Sequence, residues 1–186
     1  ALASLCRRAA VILLDPEVTY LAPFLTGLNQ PRGKVVYDAE RWRPGMATMM
    51  ATADLFVPTA DFLETPELRL ASGSWAARLM ALQQRIGGRL VVTRGDRGAY
   101  YFEGDRLMNV AAPEIEVADT IGSGDVFHGA LALATARGNP LPEAVKFAVA
   151  VASLSCREYG GRKGLARMPE ALSLTQSLSV TPAKGS

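Results

Sequence analysis

Val117-Ala-Asp-Thr-Ile-Gly-Ser-Gly-Asp-Val-Phe-His-Gly-Ala130 decides how this 186-residue chain is read. Two glycines two positions apart, Gly122 and Gly124, let the backbone turn sharply and leave room for a ligand to approach. The run that follows, Val126 to Arg137, is rich in Ala and Leu and predicts a helix. Gly122, Ser123 and Gly124 would then offer their N–H groups at a helix N-terminus. Backbone donors there lack intrahelical partners, and the macrodipole favours an anion. Asp125 shares that terminus. A carboxylate beside an anion-binding turn repels the anion, so it is a poor choice for binding alone. It makes sense as a base that takes a proton from an attacking hydroxyl while the N–H groups stabilise a transferring phosphoryl. The structural alternative is that a first-turn carboxylate steadies any helix and that glycine turns before helices are common.

Working outward, short β-branched or Leu-rich runs alternate with longer amphipathic ones. Ala10–Leu14, Lys34–Tyr37, Asp54–Val57 and Leu90–Thr93 read as strands, and Glu17–Asn29, a segment opened by Pro44-Gly45, and Ser72–Ile86 read as helices. Gln30-Pro-Arg-Gly33 breaks the first of these. Arg94-Gly-Asp-Arg-Gly98 turns the chain from Thr93 into Ala99–Phe102 as a hairpin, and short strands are expected near Leu107–Val110 and Ile115–Val117. Beyond Gly122 the chain reads as helical, broken at Gly138-Asn-Pro140 and at Gly160-Gly161, with a loose tail from Ser177 to Ser186. Strands alternating with helices predict a mostly parallel sheet covered on both faces, with the ligand crevice at the carboxyl ends of the strands.

Composition narrows the function. Apolar residues make up 49% and charged residues 20%, far from the profile of a disordered chain. Twenty Lys+Arg against 18 Asp+Glu leave a net charge of +2, with no basic run interleaved with aromatics, so nucleic acid is not expected as a partner. The longest uninterrupted apolar run, Ala9 to Leu14, is too short to cross a bilayer, so no membrane is expected either. Two cysteines, Cys6 and Cys156, cannot make a disulfide framework, and a reducing, cytoplasmic setting is expected. One histidine and two cysteines also argue against a zinc site.

Three motifs in order carry a resemblance. Asp119-Thr-Ile-Gly-Ser-Gly-Asp125 followed by Val126-Phe-His-Gly-Ala130 is similar to the D-T-x-G-A-G-D-x-F signature of PfkB-type carbohydrate kinases, the ribokinase family. Upstream, Val92-Thr-Arg-Gly-Asp-Arg-Gly98 resembles that family's V-T-x-G-x-x-G nucleotide turn. Downstream, Phe147–Cys156 with Gly160-Gly161-Arg162 and Gly164 resembles its Ala-rich helix and glycine turn beside the adenine. The resemblance implies an α/β fold, a ribokinase-like three-layer sandwich with a mostly parallel sheet. It implies Asp125 as catalytic base, Gly122, Ser123 and Gly124 as the anion hole, and Thr93, Gly95, Gly98 and Gly161 flanking the nucleotide, with Asp119 and Thr120 supporting the loop. ATP and Mg²⁺ are the implied cofactors, with a monovalent cation beside this loop in some members. A small-molecule sugar is the implied substrate.

The sequence departs from the family pattern in places. Ser123 replaces the usual Ala and keeps its N–H; Ile121 stands where Thr is common. The family's Asn-x-x-Glu motif falls on Thr59 and Phe62, and no metal-ligating residue is assigned. His128, three residues after Asp125, is expected to pack, as are Trp42, Trp75 and the Met46, Met49 and Met50 cluster. The similarity begins partway through the family's domain, with neither its N-terminal strands nor the β-sheet lid that closes over the sugar and often dimerises. Residues 1–176 are therefore expected to be the C-terminal portion of a ribokinase-like domain, with a homodimer open to the full-length protein. The function this implies is transfer of the γ-phosphoryl group of ATP to a primary hydroxyl of a sugar. The alternative is a nucleotide-binding pseudo-kinase or remnant without chemistry. A Rossmann-type dinucleotide enzyme is disfavoured, because Leu14-Asp-Pro-Glu17 carries no glycine fingerprint.

Overall fold

The computed structural model describes residues 1–28, 33–70 and 72–183. Among the described residues, seven strands form one sheet in the order of the sequence: β1 (Val11–Leu14), β2 (Lys34–Ala39), β3 (Leu55–Pro58), β4 (Arg89–Thr93), β5 (Ala99–Glu103), β6 (Arg106–Val110) and β7 (Val180–Pro182). β1 to β4 pair in parallel, and β4 to β7 pair antiparallel, so the sheet is mixed. The antiparallel half begins at the hairpin read from Arg94–Gly98, whose short turn cannot supply the crossover that a parallel neighbour needs.

Side chains alternate between the faces with the period of a strand. Val35, Tyr37, Phe56, Leu90 and Val92 enter one core with α1 (Leu2–Arg8), α2 (Ala22–Gly27), α3 (Met46–Thr52) and α4 (Trp75–Gln83). Val36, Leu55, Val57, Val91 and Tyr101 enter the other with α5 (Ser123–Ala136), α6 (Leu141–Ser155) and α7 (Met168–Ser177). The result is the expected three-layer sandwich.

Three expectations are corrected. The single helix read over Glu17–Asn29 is a 3₁₀ segment, Pro16–Leu21, followed by α2. Val18 lies off helical geometry (φ −102°, ψ 27°), and Pro23, at the start of α2, offers no N–H to continue a ladder from the preceding turn. Asn29, and Gln30 to Arg32 of the expected break, lie outside the described residues. No strand forms over Ile115–Val117. The far edge of β6 is taken by β7, and the N–H groups of Ala118 and Asp119 donate instead to the Cys156 carbonyl at 2.8 and 3.1 Å. β7 in turn occupies part of the segment expected to be a loose tail: Val110 pairs with Val180, and the Ala183 N–H donates to the Leu107 carbonyl at 2.9 Å.

The methionine cluster and both tryptophans pack, as expected. Met46 and Met49 are fully buried, Trp42 stacks on Phe62, and Trp75 meets Tyr100 edge-on beneath the Arg94 guanidinium. Among the described residues, no helix is long and apolar enough to cross a membrane.

Candidate active site

The ends of β2, β3 and β4 lie beside the N-terminus of α5: Asp38 feels the charge of Asp125, and Thr59 and Thr93 line a pocket with Ser123 and Gly124. Gly122 caps that helix with φ 76° and ψ 3°, a left-handed conformation that costs glycine nothing and would strain any other residue. The Ser123 N–H closes the turn by donating to the Thr120 carbonyl at 3.1 Å, and the first intrahelical bond runs from Val126 N–H to the Gly122 carbonyl at 2.9 Å. The N–H groups of Gly124 and Asp125 therefore stand ahead of the helical ladder, at the positive end of a 14-residue helix. A Cβ built on Gly124 would meet nothing within 4 Å, so the surface over this turn is open. Of the three N–H groups expected in an anion hole, that of Ser123 is already engaged in building the turn.

Two carboxylates frame the turn. Asp119 accepts from the N–H groups of Ile121 (2.9 Å) and Gly160 (2.9 Å), which tie the loop to the glycine turn after α6 and hold its carboxyl below the usual carboxylate range. Gly161 packs against the same loop, with its Cβ position 3.2 Å from the Ile121 carbonyl. Asp125 is exposed in the first turn of α5. It lies close enough to Asp38, at the end of β2, to help push that carboxyl up; burial pushes it up more strongly and His128 pulls it down.

Beside the turn lies a cleft in two connected parts of about 620 and 230 Å³. The larger is lined by apolar Ala112, Pro113, Ile115, Val117 and Ala152, by Gly95, Thr120, Ser123, Ser153 and Cys156, and by acidic Asp96 and Glu114. The smaller runs inward past Thr59, Thr93, Gly98, Gly124 and Phe127. Thr59 and Thr93 pair as an isolated bridge that extends the β3–β4 seam into its floor. Gly98 is fixed by close packing: at φ 80°, a Cβ there would lie 2.0 Å from the Val110 carbonyl.

The cleft thus gathers Thr93, Gly95, Gly98, Thr120, Ser123 and Gly124 from segments far apart in sequence. Asp119, Gly122 and Gly161 build the loop that closes it, and Asp125 stands at the turn outside the cleft lining. An apolar slot with glycine edges beside a helix N-terminus suits a flat base with an anionic tail. Thr59, read as lying at the carboxyl end of its strand, does line the cleft, whereas sequence reasoning missed Phe127 and Ile115. Ile115 and Val117 alternate with acidic residues, a pattern that reads as a strand and gives no sign of a cleft wall.

The position expected to match the Glu of the family's Asn-x-x-Glu motif is Phe62. It is 1% exposed and packed on Trp42 and Phe56, so it is a core residue. Among the described residues, no three His, Cys, Asp or Glu side chains gather as a metal-ligand set.

Comparisons with known proteins agree with this geometry. The model of the pfkB family carbohydrate kinases matches residues 25–167. The ribokinase of Lactococcus lactis is 28% identical over 102 residues, 55% of this chain and 34% of the relative. That of Bacillus subtilis is 35% identical over 77 residues, 41% of this chain and 26% of the relative. Among solved structures, Arabidopsis thaliana ribokinase complexed with ribose and ATP superposes with a TM-score of 0.77 at 20% identity, covering 94% of this chain and 58% of that one. An Escherichia coli protein in complex with ATP and Mg²⁺ gives 0.77 at 17% identity, covering 94% and 61%. The matches span about a third of the length of these curated ribokinases or less, and about three fifths of the solved chains. A match over most of the chain, on a sheet order and helix N-terminus that fit it, settles the family: this chain belongs to the pfkB family of carbohydrate kinases.

Proposed function

We propose that this chain forms the nucleotide side and carries the base of an ATP-dependent carbohydrate kinase, transferring the γ-phosphoryl group to a primary hydroxyl of a sugar or sugar derivative. The observation that carries the reading is the first turn of α5. A left-handed Gly122 starts the helix and leaves the N–H groups of Gly124 and Asp125 ahead of its hydrogen-bond ladder, with the exposed Asp125 carboxylate on the same turn.

When bound, ATP with Mg²⁺ supplies the phosphoryl group and neutralises charge between the β- and γ-phosphates. The apolar walls of the cleft hold the base, and Gly95, Thr120 and Ser123 line the cleft toward the phosphates. Asp125 accepts the proton as the sugar O–H bond breaks. The alkoxide oxygen bonds to phosphorus while the bond from phosphorus to the bridging oxygen breaks, and ADP leaves. The N–H groups at the α5 terminus meet the equatorial oxygens as their charge redistributes. Asp119, through Ile121 and Gly160, keeps the turn in place. A soluble sugar substrate, a cytoplasmic setting, a monovalent cation beside the Ile121 loop and a homodimer of the full-length protein belong to the same reading.

The test is sugar-dependent ADP formation across a panel of hexoses, pentoses and their phosphates, with Asp125→Asn beside the wild type. The substitution should cut the rate by about 10²–10⁴-fold while leaving ATP affinity nearly unchanged. Activity that survives it removes Asp125 as the base. A wild type that binds ATP but phosphorylates nothing in the panel would favour a nucleotide-binding protein without this chemistry.

A further inference from the structure

His128 is 4% exposed, one helical turn after Gly124, with a hydrogen-bond acceptor at each ring nitrogen. Nδ1 lies 2.7 Å from the Gly124 carbonyl oxygen and 3.4 Å from Oδ2 of Asp38. Nε2 lies 3.2 Å from the Val57 carbonyl oxygen. A neutral imidazole has one N–H and one lone pair, so either tautomer would aim a lone pair at an acceptor oxygen inside the protein. With a proton on both nitrogens every contact is favourable, and Asp38, itself largely buried, supplies the opposite charge.

We propose that His128 is a positioning residue of the phosphoryl-transfer site: a doubly protonated ring, paired with Asp38, that clamps the first turn of α5 onto the ends of β2 and β3. The proposal rests on the kinase reading above. One ring nitrogen pins the carbonyl of Gly124, whose N–H faces the site, and the other ties that turn to Val57, two residues before Thr59 in the cleft floor. The pair also compensates a carboxylate that sits beside the base. Without the imidazolium, Asp38 loses the charge that lowers it while burial and Asp125 still raise it, so Asp38 takes up its proton at a higher pH. Asp15 and Glu40 also act on Asp38; both are unchanged in the variants below.

His128 is the only histidine in the sequence, so its ring can be observed without assignment. In ¹⁵N-histidine-labelled protein near neutral pH, both ring nitrogens should show the chemical shifts of protonated, hydrogen-bonded sites; one bare nitrogen overturns the proposal. This spectrum needs no turnover, so it decides the clamp even if no sugar is phosphorylated, an outcome that would fail the kinase reading alone. In the active enzyme, His128→Asn should lower kcat about tenfold and move the acid limb of the pH–rate profile up by about one unit. His128→Asn with Asp38→Asn should return the limb toward its wild-type position, because the uncompensated charge is gone. A fall in kcat with an unmoved acid limb, or a double variant that fails to return it, overturns the proposal.

Discussion

The two helical layers of this sandwich are built differently from the same sheet. On one face, α5 and α6 run 14 and 15 residues and pack along each other, and the end of α5 is the candidate active site. On the other, α1 to α4 have 6 to 9 residues, interrupted by 3₁₀ turns, and are held to the sheet by local bonds. The Gln83 side chain, for instance, donates to the Gly88 carbonyl and accepts from the Leu90 N–H, stapling α4 to β4. A long helix transmits the placement of its core residues to its terminus; a short capped segment keeps a disturbance to itself. The difference teaches that the layer carrying the candidate site is the one whose packing is continuous with it.

The largest expected effect separates chemistry from packing altogether. Asp125→Asn, exposed at the helix start, should remove 10²–10⁴-fold of the activity at an unchanged melting temperature, roughly 3–5 kcal/mol in the barrier and almost none in folding. A melting temperature lowered as far as by a core truncation would mean that the carboxylate is structural.

A matched pair of truncations then tests the layers directly. Leu131→Ala in α5 and Leu25→Ala in α2 each delete a buried side chain and should each cost about 2–5 kcal/mol of stability by calorimetry. Only Leu131→Ala should also weaken ATP binding, by about tenfold in titration calorimetry, because Leu131 belongs to the helix whose first turn lines the cleft. Equal loss of affinity in both variants would break the comparison.

Smaller still is Ser74→Ala. Ser74 caps α4 by accepting from the Ala77 N–H at 3.2 Å, and its loss should cost about 1 kcal/mol with nucleotide affinity intact. The smallest effect concerns the loop that closes the site. The carboxyl of Asp119 is held low by backbone N–H donors, so its contribution is fully present above the ordinary carboxylate pKa, about 3.9, and is lost as pH falls through the lower folded value. Amide exchange at Ile121 and Gly160 should quicken in that acid window relative to Asp119→Asn, which should show no such step.

Much of this was legible in the chain. Six of the seven strands were read close to their observed positions, because their alternation and the Gly, Pro and Asp residues that end them are local signals. The Asp119–Asp125 loop was legible for the same reason, since a left-handed glycine and a first-turn acid act within a few residues. Apart from the break at Val18 and Pro23, which is local, the exceptions are long-range. Ile115–Val117 has the pattern of a strand but finds β6 already paired to β7, and Val180–Pro182 has the polarity of a tail but lies where β6 needs a neighbour. His128 showed only its helical position; that both its nitrogens meet acceptors depends on the ends of two strands some 70 and 90 residues away in sequence.

The sequence by itself therefore determined most of the elements, their order, the glycine turn that starts α5, and the carboxylate beside it. Each of these is enforced by backbone sterics and periodicity within one segment. Only the tertiary structure decided which loop walls the cleft, which edge β7 covers, and that a buried imidazole joins Asp38 to the turn that carries Asp125. Those outcomes depend on which hydrogen-bonding partners remain free once the sheet has closed, and no segment carries that information alone.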